Sequence, residues 1–328
     1  MSYQPIENYG IIGDLHTAAL VGMDGSIDFL CLPHFDSPTI FAALLDHEKG
    51  GRFRLAPDME RVRPKQMYLP NSPILLTRFL GSDGVGEVSD FMPIADLGHC
   101  HALVRRAKAV LGDATFRMVC APRFDYGRAG HRVEQKDGEV LFVSEGADRT
   151  AVRLRTAVPV RVQNGDATAE FVLRAGETAS FVLEQVPDGG NGPSCAPGYV
   201  PEAFKQTLNF WRQWIGRSKY SGRWREMVDR SAMTLKLLTS APHGSMVAAA
   251  TFGLPEDPGG VRNWDYRYTW IRDASFTLYG LMRLGYTEEA AAFMRWIEAR
   301  CGELEADGAL RVMYGIDGRH DLPEENLS

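Results

Sequence analysis

Residues Arg262 to Asp273 read Arg-Asn-Trp-Asp-Tyr-Arg-Tyr-Thr-Trp-Ile-Arg-Asp, a set of side chains suited to holding a sugar. Rings fall at every second position: Trp264, Tyr266, Tyr268 and Trp270. Arg272 keeps that parity, while Asp265, Arg267 and Thr269 take the other. Side chains alternate faces only along extended backbone, so the spacing predicts a strand with one ring-lined side. Sugar C–H faces lie against aromatic rings, and sugar hydroxyls accept hydrogen bonds from Arg and donate them to Asp. A buried strand whose rings only fill a core would show the same pattern, because aromatics are common in strands.

Other combinations of reactive residue types are weaker. In His99-Cys100-His101, alternation separates the two histidines from the cysteine, so three ligands would not converge on a metal. Gly84-Val85-Gly86 lacks the third glycine and the following helix of a dinucleotide fingerprint, and reads as a turn. No nucleophile-elbow sequence supports a Ser-His-Asp triad. The clusters Arg61, Arg63, Lys65 and Arg105, Arg106, Lys108 read as solvated faces of strands, with phosphate binding as the alternative. No metal and no cofactor are expected.

The elements that must position the aromatic run change character along the chain. Asp24-Gly25, Asp83-Gly84, Asp137-Gly138 and Asn164-Gly165 are turn dipeptides set between apolar runs. Val152, Leu154, Thr156, Val158, Val160 and Val162 alternate with Arg153, Arg155 and Arg161, which predicts one half-buried strand with a wet face. Further strands are expected near Phe171 and Leu173, and from Gly176 through Phe181 and Leu183. Many short strands with tight turns predict an antiparallel β-sandwich over residues 1–198. Residues 187–198 are dense in Pro and Gly and mark the boundary.

A linker helix is expected within 199–222, with Phe204, Leu208, Trp211 and Ile215 on one stripe. Residues 223–328 then read as all-α. Trp224, Val228, Ser231, Leu235 and Leu238 recur at helical spacing, and Pro242 and Gly244 end that helix. Asp273 is the expected N-cap of a helix carrying Phe276, Leu278, Tyr279 and Met282, ending before Gly285. Thr287 is the expected cap of a third helix, carrying Ala291, Met294 and Ile297, with Glu288 and Glu289 in its favourable first turn.

Bulk properties exclude several function classes. A net charge of −6 leaves no electrostatic footprint for nucleic acid. No apolar run reaches membrane-spanning length, and Met1 to Glu7 has neither the basic nor the apolar region of a signal peptide. Cys31, Cys100, Cys120, Cys195 and Cys301 are scattered and odd in number, so free thiols in a reducing cytoplasm are expected.

Several segments together resemble glycoside hydrolase family 15, the glucoamylase and bacterial trehalase-like enzymes. They are Gly244-Ser245-Met246-Val247-Ala248-Ala249-Ala250-Thr251-Phe252-Gly253-Leu254-Pro255-Glu256, then Gly259-Gly260-Val261, and then the run from Asn263 to Asp273. Upstream, Arg230 to Leu238 is also similar to that family. So is the opening, Ile6-Glu7-Asn8-Tyr9-Gly10-Ile11-Ile12-Gly13-Asp14, with Leu20 to Pro33 and Phe35-Asp36-Ser37-Pro38. Phe252-Gly253 stands where a Thr-Ser pair is more usual, and Thr269 where Cys often stands, which leaves specificity open.

The resemblance implies a β-sandwich followed by an α/α toroid of six helix pairs. It implies inverting hydrolysis of α-glucosidic bonds, with one glutamic acid protonating the leaving oxygen and a second activating water. By resemblance Trp270, Arg272 and Asp273 seat the non-reducing glucose, while Asn263, Trp264, Asp265 and Arg267 support the loop. The expected substrate is an α-glucan, a maltooligosaccharide or trehalose, and the alternative is a non-catalytic carbohydrate-binding or remnant protein. Three helices cannot make six pairs, so the toroid is expected to be incomplete, its tail from Arg311 to Ser328 to be an internal loop, and both catalytic glutamates to lie beyond Ser328. Glu256, Glu324 and Glu325 are accordingly expected to be loop carboxylates. An incomplete ring would leave apolar helix stripes uncovered, which favours association.

Overall fold

The computed structural model describes residues 3–94, 101–147, 149–186, 198–253, 257, 260–302, 304 and 308–327. Two eight-stranded antiparallel sheets come first. One orders Tyr9–Gly13, Ala18–Gly22, Ser26–Cys31, Arg52–Pro57, Ala114–Ala121, Asp166–Leu173 and Arg161–Gln163, with Thr39–Phe41 paired to Ser26–Cys31. The other orders His131–Lys136, Glu139–Ser144, Ala151–Thr156, Thr178–Gln185, Ala102–Leu111, Val85–Phe91, Leu75–Leu80 and Arg63–Tyr68. Their inner faces share one core that includes Ile12, Phe53, Leu55, Phe116, Met118, Phe142, Leu154 and Phe181. The expected β-sandwich is therefore present.

Turn chemistry sets much of this meander. Asn164 and Gly165 have φ of 53° and 82°, the double positive φ that lets a two-residue turn follow the strand twist. The expected single strand from Val152 to Val162 is, however, two strands. Ala151–Thr156 lies in the second sheet and Arg161–Gln163 in the first. Pro159 stands in the break; it lacks an N–H for a ladder and is confined to edges and interruptions.

Two expected wet faces are also corrected. Arg153 is buried, and its guanidinium donates to Glu184 at 2.7 and 3.0 Å. Arg105 is wholly buried between the sheets rather than solvated. It donates to Asp90 (2.8 and 3.2 Å), to the Gly25 carbonyl (2.8 Å) and to the Phe53 carbonyl. Asp90 is in one sheet and Phe53 in the other, so Arg105 is a strut whose buried charge is matched on the spot.

Helix α1 (Tyr199–Ile215) joins two layers. Its first half lays Val200, Ala203, Phe204 and Leu208 on Phe91, Val104 and Val182 of the second sheet. Its second half puts Trp211, Trp214 and Ile215 into a separate helical core. That core is completed by α2 (Arg225–Leu237), α3 (Ile271–Arg283), α4 (Glu288–Cys301) and Leu15 from the first strand turn. Trp214 stacks on Tyr286 at 4.1 Å and donates to Glu289 (2.8 Å), which also meets the Lys236 ammonium (2.9 Å).

The helices are present and the α1 stripe packs as expected, but the stripes expected on the other three are buried only in part, through Leu235, Leu278 and Ile297. On α2 the buried residues are Asp229, Ala232, Met233 and Leu237, while Trp224 and Ser231 are exposed. On α3 Ala274 and Leu281 are buried, and Phe276, Tyr279 and Met282 are 73, 65 and 54% exposed. On α4 Phe293 and Trp296 are buried, while Ala291 and Met294 are exposed. These helices carry apolar residues on more than one face. Spacing identifies amphipathic stripes but cannot rank two of them. Among the described residues no helix is long and apolar enough to cross a membrane.

Candidate active-site wall

The aromatic run is not one extended strand. Only Thr269–Trp270 is strand, paired with Met313–Tyr314, and residues 266–268 form a turn. The cause is local. The Asp265 carboxylate accepts from the Arg267 amide at 2.9 Å and from its guanidinium at 2.7 to 3.1 Å, curling the chain back. The rings still converge, through a turn and not through a pleat. Trp270 meets Trp264 edge-on at 5.7 Å and Tyr266 at 5.5 Å, and its indole N–H donates to the Asp265 carbonyl at 2.9 Å.

The segment after α2 holds this turn from behind. Ala248, Ala249 and Gly253 donate backbone hydrogen bonds to Tyr268, Tyr266 and Trp264 (3.1, 2.8 and 2.8 Å). A side chain at Gly253 would lie 2.8 Å from the Tyr266 ring, so glycine is needed there. Leu254 to Glu256 lie outside the described residues, and so does Glu256 as a candidate carboxylate.

Arg267 ties the turn to the sandwich. Only 2% exposed, it also donates to the Ser37 carbonyl (2.8 Å) and the Tyr126 hydroxyl (2.8 Å), and its Nη1 lies 3.2 Å from the Cys31 sulfur. Its guanidinium lies 4.3 Å from the Phe252 ring centre. Burial opposes its charge, but Cys31 and Asp265 outweigh that and raise its pKa well above the usual arginine value. Burial also pushes the Tyr126 hydroxyl up to about 12. A second arginine repeats the theme: Arg319 pairs with buried Asp36 (2.8 Å) and lies over the Tyr268 ring at 5.8 Å.

At the end of the run the chain turns into α3. Trp270, not Asp273, is the N-cap residue; Asp273 lies inside the first turn, where the helix dipole favours its charge. The reason is the short pairing of Trp270 with Met313, which keeps the backbone extended up to that residue. Arg272 and Asp273 pair at 3.0 and 3.1 Å, with side chains 69% and 36% exposed. An exposed ion pair adds little to stability. Its donors and acceptors therefore remain open to a polyol. Asn263 is exposed and Trp264 is 43% exposed.

The expected tail carboxylates are ion-paired: Glu324 with Arg262 (2.5 Å) and Glu325 with Arg128 (3.1 Å). A cleft of about 390 Å³ lies elsewhere, between Gln135–Val140 and Leu154–Val160 of the sandwich, and no aromatic ring lines it. His99 and Cys100 lie outside the described residues. Cys31, Cys120 and Cys301 are free thiols. The site residues that spacing missed are Cys31, Tyr126, Phe252 and Arg319. Tyr126 and Cys31 lie 141 and 236 residues from Arg267 in sequence, so no local pattern could join them.

Comparison with known proteins agrees with this architecture. Residues 1–185 match the family model "Trehalase-like, N-terminal", and residues 222–328 match "Glycosyl hydrolases family 15". The chain belongs to the trehalase-like glycoside hydrolase family 15. Family members with similar sequences include the trehalase of Mycolicibacterium smegmatis, 35% identical over 99% of this chain and 52% of its own length. The trehalase of Mycobacterium tuberculosis is 34% identical over 99% of this chain and 51% of its own. That of Thermoplasma volcanium is 33% identical over 98% and 51%. The chain thus spans about half the length of the curated relatives it matches. A bacterial glucoamylase solved with acarbose superposes with TM-score 0.69 at 11% identity, over 97% of this chain and 53% of that one. A putative kojibiose phosphorylase superposes with TM-score 0.54 at 10% identity, over 95% of this chain and 50% of the other. Both show shared fold alone.

Proposed function

We propose that this chain contributes the β domain and one wall of the sugar pocket to an enzyme that cleaves α,α-trehalose by inversion. In this reading residues 1–198 are the sandwich, 199–222 the linker helix, and 223–328 the opening of an α/α toroid. Trp270, Arg272 and Asp273 hold the non-reducing glucose. Asp265 and Arg267 fix the turn that presents them, with Asn263 and Trp264 at its rim. The acid and base are glutamates beyond Ser328, so the 328-residue chain binds sugar without cleaving it. The setting is cytoplasmic, and neither nucleic acid nor membrane takes part.

The observation that carries the reading is the exposed Arg272–Asp273 pair in the first turn of α3, directly after buried Trp270 and the aromatic turn that Arg267 ties to the sandwich. That the relatives are named trehalase supports trehalose as the substrate in this reading, over maltooligosaccharides and other α-glucans. Inversion requires two carboxylates on opposite sides of the bond, about 6.5–9.5 Å apart. The tail carboxylates Glu324 and Glu325 are instead held by arginines.

The test compares glucose release from trehalose and maltose by this chain and by a version extended to the length of its relatives. Expected is no release by the 328-residue chain, and release from trehalose by the longer one. Asp273→Ala should cut that release at least about a hundredfold, on the scale of lost substrate positioning. Turnover by the 328-residue chain would overturn the placement of the carboxylates. Unchanged release by Asp273→Ala would remove Asp273 from the pocket.

A further inference from the structure

A second constellation lies at the seam between the sheets and the helices. Asp14 and His16 occupy the turn between strands Tyr9–Gly13 and Ala18–Gly22, and His101 immediately precedes strand Ala102–Leu111. This seam is tightly built. The Leu15 carbonyl accepts from the Ala241 amide just after α2 (2.8 Å), and the His16 carbonyl accepts from the Phe35 amide (2.9 Å).

Four of the chain's eight histidines meet here. His16 and His101 have ring centres 4.6 Å apart, His34 and His101 6.1 Å, and His34 and His243 6.3 Å. Imidazole is the commonest metal-ligating side chain. The Nδ1 of His34 is buried with no hydrogen-bond partner among the described residues.

Asp14 is built as a fixed ligand. It is only 5% exposed. One carboxylate oxygen accepts from the amides of His16 and Thr17, both at 2.9 Å. The other lies 2.8 Å from His101 Nδ1. His16 Nδ1 lies 3.2 Å from the Asp14 carbonyl and 4.0 Å from its carboxylate. One ligand atom from each of Asp14, His16 and His101 lies within 4.8 Å of the others. A tetrahedral ion with bonds near 2.0–2.1 Å needs ligands about 3.4 Å apart, within reach of small imidazole rotations.

We propose that Asp14, His16 and His101 bind one divalent transition-metal ion of the zinc type, at the junction of the β domain with the helical region. Two imidazoles and one carboxylate suit Zn²⁺ or a neighbouring first-row ion, whereas Mg²⁺ and Ca²⁺ prefer oxygen ligands. Three protein ligands leave a fourth position for water or for buried His34. Ligands from two separate segments of the sandwich are thus cross-linked where Leu15 enters the helical core. The site does not depend on the sugar reading of the aromatic turn.

The experiment strips the 328-residue chain with a chelator and titrates it with Zn²⁺ alone. Expected is uptake of one equivalent and a rise in Tm. With Co²⁺ the visible bands should have the intensity of a four- or five-coordinate ion. His16→Gln and His101→Gln should each weaken binding at least about tenfold, and His320→Gln, at an exposed histidine elsewhere, should leave it unchanged. Because the seam variants could lose their fold, imidazole ¹⁵N shifts of the unaltered chain give a second reading: Zn²⁺ should move His16 and His101 and leave His47, His131 and His320 in place. No stoichiometric uptake, or shifts at His47, His131 or His320 without shifts at His16 and His101, would show that Asp14 and His101 are a hydrogen-bonded pair only. Zinc uptake without any glucose release would leave this site standing and bear only on the sugar reading.

Discussion

The sheets and the helices both bury large apolar side chains, yet they leave different surfaces behind. In the sandwich the exposed apolar residues are spread over many strands: Met67, Leu80, Val172 and the neighbours Val110 and Leu111. On the helices they cluster, with Phe276, Tyr279 and Met282 at three-residue spacing along α3, Met294 on α4 and Met227 on α2. Scattered apolar residues are ordinary on a folded surface; a contiguous stripe marks a face that packs against something. A sandwich completes its core from two inner faces. A helix packed along one stripe keeps its opposite face exposed, as α3 does here.

The largest test of that contrast is the link between the regions. Arg267→Ala leaves the Asp265 carboxylate and the Ser37 carbonyl without their buried donor. Removing one member of a buried ion pair costs about 3–5 kcal/mol. Calorimetry should show the helical transition moving down and separating from that of the sandwich. Arg105→Ala, the matching change inside the sandwich, should lower the β transition instead. One joint transition for both variants would mean that the two regions melt as a unit.

Next in size is Trp214→Phe, which strips the buried Glu289 carboxylate of its indole donor. The expected cost is about 1–3 kcal/mol in urea unfolding. The same site sets a pH dependence. Burial opposes the Glu289 charge, but Lys236 and the Trp214 hydrogen bond win and hold its pKa below the ordinary 4.5. Its stabilisation is therefore present above 4.5 and is lost as pH falls through the depressed value. In the sandwich, burial raises the Asp28 pKa above its ordinary 3.8, so acid relieves a cost there. Near-UV tryptophan signals should fade at higher pH than far-UV strand signals, and Glu289→Gln should remove much of that difference. Coincident loss of both signals would erase the contrast.

Smaller in stability terms is the pair Phe276→Gln and Tyr279→Gln. Surface changes of this kind move folding by about 0.5 kcal/mol or less. Sedimentation should nevertheless show less self-association than the parent chain. Smallest for folding is Asp273→Ala, expected to leave the melting curve in place while trehalose binding by calorimetric titration is lost.

Much of the sandwich was legible in sequence because its information is local. Asn164-Gly165 imposes its turn whatever surrounds it, and the strands on either side pair in register. Pro159 was visible too, but an alternating valine pattern masked it; a missing N–H outranks a favourable pattern. The helices were legible as elements and not as orientations. Phe293 and Trp296 compete with Met294 at similar spacing, and the pair that turns fully inward meets Trp214, Tyr286 and Tyr314 arriving from elsewhere, with Ile297 half-buried beside it. At the aromatic run the rings do converge, but Asp265 capping its own turn replaced the pleat that alternation suggests.

Sequence by itself determined the family, the strand-then-helix order, and which run of chain gathers the aromatic rings, because turn dipeptides, periods and motifs act over short stretches of chain. Only the tertiary structure decided that Arg105 and Arg267 are buried struts, that α3 turns its larger side chains outward, and that four histidines meet at one seam. The physical reason is distance along the chain. Burial of a charge, or the meeting of imidazoles, depends on partners tens to hundreds of residues away, and those are chosen by packing the whole molecule.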